Sequence, residues 1–117
     1  MSDLNQFKAE FFKALSHPLR IRILDSLRVG EVGVTDLCVR LGVEQSTLSQ
    51  QLSVLRSRDI VAGRKSGNNV FYSVRDPLIY RVLDVAKDLF NNQLINMRDL
   101  LSQMEAVSTV ADEGAGI

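Results

Sequence analysis

The sequence predicts a mainly α-helical fold with one small β-hairpin, a winged helix-turn-helix, on three observations. A short apolar helix, a glycine and a helix with an unusually polar face follow one another over 35–57. Two β-rich runs separated by turn residues come next, over 60–75. Amphipathic segments near both ends carry more apolar surface than the small domain between them requires.

The polar helix is read from its spacing. Leu48, Leu52 and Leu55 recur at i, i+4 and i+7 and form one buried stripe, while Ser46, Gln50, Ser53 and Ser57 project from the opposite side. A solvated helix face is usually filled by Glu and Lys, because Ser and Thr weaken a helix interior. Hydroxyls and amides are instead suited to enter the major groove of DNA and meet base edges or phosphate oxygens. Taken alone, the face is equally compatible with an ordinary solvated surface.

Its neighbours supply the context. Thr35 to Leu41 reads as a short helix with Leu37, Val39 and Leu41 available for packing, and Gly42 suits the left-handed position that closes a helix. Only Val43 and Glu44 separate it from the polar helix, the arrangement in which a second helix reads the groove. Downstream, Ile60 to Lys65 and Val70 to Arg75 read as strands around Ser66, Gly67, Asn68 and Asn69. Arg64 and Lys65 beside that tip make a positively charged wing. Candidate DNA-contacting residues are therefore Gln45, Ser46, Thr47, Ser49, Gln50, Ser53 and Arg56 on the helix, and Arg64, Lys65, Asn68 and Asn69 on the wing.

The terminal segments point to a homodimer. Residues 4 to 15 place Leu4, Phe7, Phe11 and Ala14 on one side of a helix, with Phe12 and Leu15 left to pack elsewhere. After Pro77 at a first helical turn, a long helix runs to about Val107. Within it Phe90, Leu94, Met97, Leu101 and Met104 follow the 4-3-4-3 spacing of a coiled-coil seam. The alternative is that this stripe packs on its own domain. A two-fold dimer would set two reading helices about one DNA turn apart. Residues 1–107 are thus expected to form the DNA-binding and dimerisation domain, with 108–117, small and acidic, a disordered tail.

Composition narrows the class. A chain of 117 residues is expected to form one domain. No apolar run approaches the ~20 residues needed to cross a bilayer. The amino terminus lacks the pattern of a signal peptide, and a single cysteine excludes an internal disulfide, so a cytoplasmic protein is expected. Net charge is zero, but residues 40–75 carry Arg40, Arg56, Arg58, Arg64, Lys65 and Arg75 against Glu44 and Asp59, a net +4. Residues 76–117 carry a net −4. The expected DNA face is the basic one. With one imidazole, no nucleophile set and no glycine-rich phosphate loop, nothing suggests an enzyme or a cofactor.

From Phe11 to Val74 the chain resembles the ArsR/SmtB family of prokaryotic transcriptional repressors. The pieces that carry the resemblance are ALSHPLRIRIL, VTDLCVRLGVEQSTLSQQLSVLR and the wing GNNVFYSV. The flanking helices match the family's dimerisation elements. The resemblance implies a homodimer on a pseudo-palindromic promoter site, with Gln45, Ser46, Ser49 and Gln50 at positions that contact DNA. Gln50 stands where many members have His, and an amide there still donates and accepts.

The metal sites for which the family is best known are altered. A third-helix site requires Cys-Val-Cys, and here Cys38 is followed by Arg40 in the second thiol's place, a cation that would repel a metal. A long-helix site requires Asp and His pairs, and Asp84 remains with no His beyond residue 17. No metal site is expected. His17, in SHPLR between the first two helices, is a junction residue or a ligand, and Cys38 a small packing residue or a thiol switch. The alternatives to a sequence-specific repressor are a protein-interaction module on the same scaffold, or a thiol- or metal-responsive repressor with a non-standard sensor.

Overall fold

In the computed structural model, which describes residues 3–115 and side chains through Val107, the elements run in the order α1 (Asp3–Leu15), α2 (Pro18–Ser26), β1 (Val32–Gly33), α3 (Val34–Leu41), α4 (Gln45–Ser57), β2 (Val61–Ser66), β3 (Asn69–Val74) and α5 (Leu78–Ala115). A single 3-10 turn, Leu27–Val29, follows α2. The winged helix-turn-helix predicted from sequence is present. The chain divides into two units, one ending at Ile79 and one beginning at Tyr80.

Each helix boundary has a local cause. His17 caps α2 by accepting the Leu19 N–H on Nδ1 at 3.1 Å, and Pro18, which has no N–H to lose, opens the first turn. This is the local role expected of a junction histidine. Asp76 caps α5 in the same way, its Oδ1 accepting the Leu78 N–H at 3.0 Å.

Gly42 closes α3 at φ +65° and ψ +37°, and its N–H bonds the Cys38 carbonyl. No atom lies within 4 Å of the position a Cβ would take, so sterics within the residue alone set the cost of replacing it. Gly42→Ala is expected to destabilise the protein by about 1–2 kcal/mol. Denaturant unfolding checks this, and an unchanged midpoint would remove the left-handed cap as a determinant of the turn. At the end of α4, Asp59 takes the left-handed position at φ +57°, with Ile60 N–H bonding the Leu55 carbonyl and Asp59 N–H the Arg56 carbonyl, each at 3.0 Å. This is a Schellman closure built on an aspartate, with Ile60 and Leu55 both buried beneath it. Because the Ile60 N–H is taken up in closing the end of α4, the hairpin starts one residue later than expected, at Val61, and β3 ends at Val74.

The wing is a three-stranded antiparallel sheet in the order β1-β3-β2, rather than a lone hairpin. Val32 and Gly33 pair with Tyr72 and Phe71. Strand β1 has two residues, too few to show the alternation that identifies a strand in sequence. The β2–β3 loop is Gly67–Asn68, with positive φ at Gly67 alone, where a II′ hairpin turn demands glycine. Tyr72 is buried against Gly63, whose Cβ would sit 3.2 Å from the ring.

The core of the first unit is Leu24, Leu37, Leu48, Leu52, Leu55, Ile23 and Val61, all essentially inaccessible. Burial of the three α4 leucines stabilises the helix against α2, α3 and β2 by roughly 1.5–3 kcal/mol per side chain. Leu37 and Leu41 pack inward, but Val39 is 78% exposed. Its expected packing role is corrected by geometry, since two residues along a helix is more than half a turn around it.

Helix α5 runs to Ala115, beyond the end expected near Val107. Gly116 and Ile117 lie outside the described residues. Among the described residues, no helix is long and apolar enough to cross a membrane.

Candidate nucleic-acid interface

Helix α4 presents its polar face outward. Gln45, Ser46, Thr47, Ser49, Gln50 and Ser53 are all exposed. Among the described residues, none of their side chains has a hydrogen-bond partner within the chain. Six donors and acceptors of intermediate strength are thus held on a rigid helix with their bonding capacity unspent. The cap residue Glu44 makes no side-chain bond to the first turn, so the N–H groups beside Gln45 are also open.

Two other polar groups of α4 are used internally. Arg20 donates from Nε to Gln51 Oε1 at 2.8 Å and from Nη1 to the carbonyls of Ala14 at 3.1 Å and Lys13 at 3.3 Å, so one guanidinium ties the end of α1 to α4. Ser57 donates to the Val54 carbonyl at 2.7 Å. Gln51 lies between Leu48 and Leu55 at helical spacing, which is the sequence signal that separates it from its neighbour Gln50.

A cleft of about 350 Å³ joins the first turns of α3 and α4 to the wing. Gln45, Asn68 and Asn69, three of the residues expected to contact DNA, line it together with Val34, Thr35 and Phe71. Asp36 also lines it, an acidic group whose place there could not be read from local spacing. Arg56, at the far end of α4, is not part of this cluster, lying eleven residues or about 16 Å along the helix from Gln45.

The cations divide into spent and available. Arg58 Nη1 bonds Glu10 Oε2 at 2.6 Å, and Arg75 lies 3.7 Å from Asp59. Arg64 is held by Glu31 through both arms of its fork, Nη2 to Oε1 at 2.6 Å and Nε to Oε2 at 3.0 Å. The hydrogen bonds from Arg64 are the main reason that the Glu31 carboxyl titrates below its ordinary range; slight desolvation opposes this and the Arg64 charge adds to it. The Arg64 guanidinium is correspondingly raised by the Glu31 bonds first and its charge second. The pair therefore stays ionised through neutral pH and separates only as pH falls through the lowered Glu31 value. Arg40, Arg56 and Lys65 have no ion-pair partner among the described residues. Charge counting along the sequence missed this, because Glu10 and Glu31 lie outside the basic window and meet it only in space.

Arg64 and Lys65 also point to opposite faces of the wing, as successive strand residues must. Arg64 stands opposite Phe71, its guanidinium carbon 5.1 Å from the ring centroid, on the face shared with Gly33. Lys65 stands opposite Val70, on the face of buried Tyr72, near the tip.

Cys38 is a half-buried free thiol on α3. Among the described residues, no group of three or more His, Cys, Asp and Glu side chains is placed to hold a metal ion. On α5, by itself, Phe90, Leu94, Met97, Leu101 and Met104 form an exposed apolar stripe, and on α1 Leu4 and Phe7 are exposed with Phe11 half-buried.

Comparison with known proteins agrees with this geometry. Residues 17–62 match the profile of the bacterial regulatory proteins of the arsR family. The chain is 43% identical over 108 residues to Rv0081 of Mycobacterium tuberculosis, described as an uncharacterized HTH-type transcriptional regulator, covering 88% of this chain and 91% of that one. The crystal structure of Rv0081 superposes with a TM-score of 0.74 over 82% of this chain and 97% of that chain. The homodimeric winged helix-turn-helix DNA-binding domain Mb0332 of Mycobacterium bovis is similar at a TM-score of 0.72 and 27% identity, over 80% of this chain and 86% of that one. The transcriptional repressor BigR of Xylella fastidiosa is similar at a TM-score of 0.65 and 35% identity, over 70% of this chain and 84% of that one. The chain belongs to the arsR family of bacterial DNA-binding transcriptional regulators, which are not enzymes.

Proposed function

We propose that the protein is a cytoplasmic repressor that binds a pseudo-palindromic promoter site as a homodimer, with residues 1–107 carrying both functions and no metal switch. The observation that carries this reading is the outward face of α4, where Gln45, Ser46, Thr47, Ser49, Gln50 and Ser53 are exposed with their side-chain bonds unspent. Base-edge recognition needs that combination, rigid placement with free donors and acceptors. Lys65, Asn68 and Asn69 serve the wing's contact with the backbone and Arg56 a flanking phosphate.

Dimerisation is supported by the exposed seam of α5 and the exposed apolar side of α1, and by the homodimeric state of the Mb0332 domain. Repression is supported by the likeness to BigR. The absence of a metal switch rests on Arg40 in place of a second thiol, on His17 being engaged as a helix cap, and on Cys38, His17 and Asp84 belonging to three different elements.

The test is a mobility-shift titration of the full chain on DNA from upstream of its own gene and on a scrambled duplex, with and without stoichiometric zinc, nickel, cobalt or arsenite. Preferential binding of the upstream DNA is expected, with affinity changing by less than about threefold on metal addition, below the ~1 kcal/mol at which allosteric coupling begins. Equal binding to both duplexes, or metal-driven release, would sink the corresponding part of the reading.

A further inference from the structure

The wing's two adjacent cations differ in kind. Arg64 reaches over the Phe71 ring on β3 and ends in a two-armed bond to Glu31, just before β1. Strands β2 and β3 and the residue that leads into β1 thus each supply one member of a clasp. A phosphate that competed for the two donors Glu31 holds, Nε and Nη2, would leave a carboxylate uncompensated beside the DNA, and one that met only the remaining N–H groups would meet a guanidinium whose charge Glu31 already offsets. Lys65, on the opposite face, has no such competitor.

We propose that Glu31 is a positioning residue that withholds Arg64 from DNA, so that the wing's electrostatic contact is made by Lys65 and the protein's sequence-independent affinity is set by the Glu31–Arg64 pair. This rests on the DNA-binding reading above and deepens it. Counterion release counts only the cations that neutralise phosphates. A guanidinium already neutralised by a carboxylate adds nothing to that count. Base-edge contacts from α4 are untouched, so Glu31 acts alike on operator and on random DNA.

The experiment is the salt dependence of binding, followed by fluorescence anisotropy of a labelled scrambled duplex between about 50 and 200 mM salt. Glu31→Gln keeps the shape of the side chain but frees Arg64, and is expected to tighten binding at low salt and steepen the slope of log affinity against log salt by ~0.9 per wing. The double variant Glu31→Gln/Arg64→Ala is expected to return the slope to the wild-type value, and Arg64→Ala alone to weaken binding to every duplex by leaving the Glu31 carboxylate unpaired. Lys65→Ala is expected to flatten the slope by ~0.9 per wing. A slope shallower than wild type for the double variant would show Arg64 on a phosphate already and overturn the proposal, as would a slope unchanged or reduced by Glu31→Gln. The double variant decides the matter, because it removes Arg64 without leaving the Glu31 carboxylate uncompensated beside the DNA. A wild-type protein with no salt-dependent binding to any duplex would overturn the DNA-binding reading beneath it, a result distinct from either slope outcome.

Discussion

Replacing Leu94 and Leu101 together by glutamate is expected to leave the protein monomeric or insoluble. Both side chains are about half exposed in the single chain, at 54% and 53%, and both lie on the stripe completed by Phe90, Met97 and Met104. A second copy of α5 would cover that stripe, and the substitution would bury two carboxylates per chain without partners. An uncompensated buried charge costs several kcal/mol, more than a coiled-coil seam of this length recovers from its remaining apolar contacts. Loss of operator binding should accompany loss of the dimer, since a monomer reaches a single half-site. Light scattering of the purified double variant measures the outcome. A soluble double variant that is still a dimer would show that the α5 seam is not the interface.

Ser46→Ala and Gln50→Ala are each expected to weaken binding to the operator by ~1–3 kcal/mol while barely affecting a scrambled duplex, because bonds to base edges discriminate sequence. The structure makes these substitutions clean. Both residues are exposed and have no partner within the chain, and alanine is the better helix former at each. The loss would therefore report contacts to DNA and not a damaged helix. Titrations on the two duplexes decide it, and equal losses on both would mean that the residues touch only phosphate.

Much of this was legible along the chain. The leucine spacing of α4 placed its polar face outward, and Leu48, Leu52 and Leu55 are buried as that spacing requires. Gly42 marked the end of α3, and Gly67 the hairpin tip, since each position demands a backbone conformation that other residues rarely adopt. Strand β1 escaped because two residues carry no periodicity. The helical closure at Asp59 escaped because aspartate, unlike glycine, does not announce a left-handed turn.

The sequence by itself determined the fold class, the family and the placing of a polar helix after a glycine turn, because all three depend on local spacing and on residue types a few positions apart. Only the tertiary structure decided which polar groups are free to meet DNA. Gln50 and Gln51 are chemically identical neighbours, yet Arg20 from α2 engages one and leaves the other. Arg64 and Lys65 are adjacent cations, yet Glu31 from before β1 pairs with one and strand alternation turns the other away. Availability is a property of what packs beside a side chain, and those neighbours come from distant parts of the chain that only folding brings together.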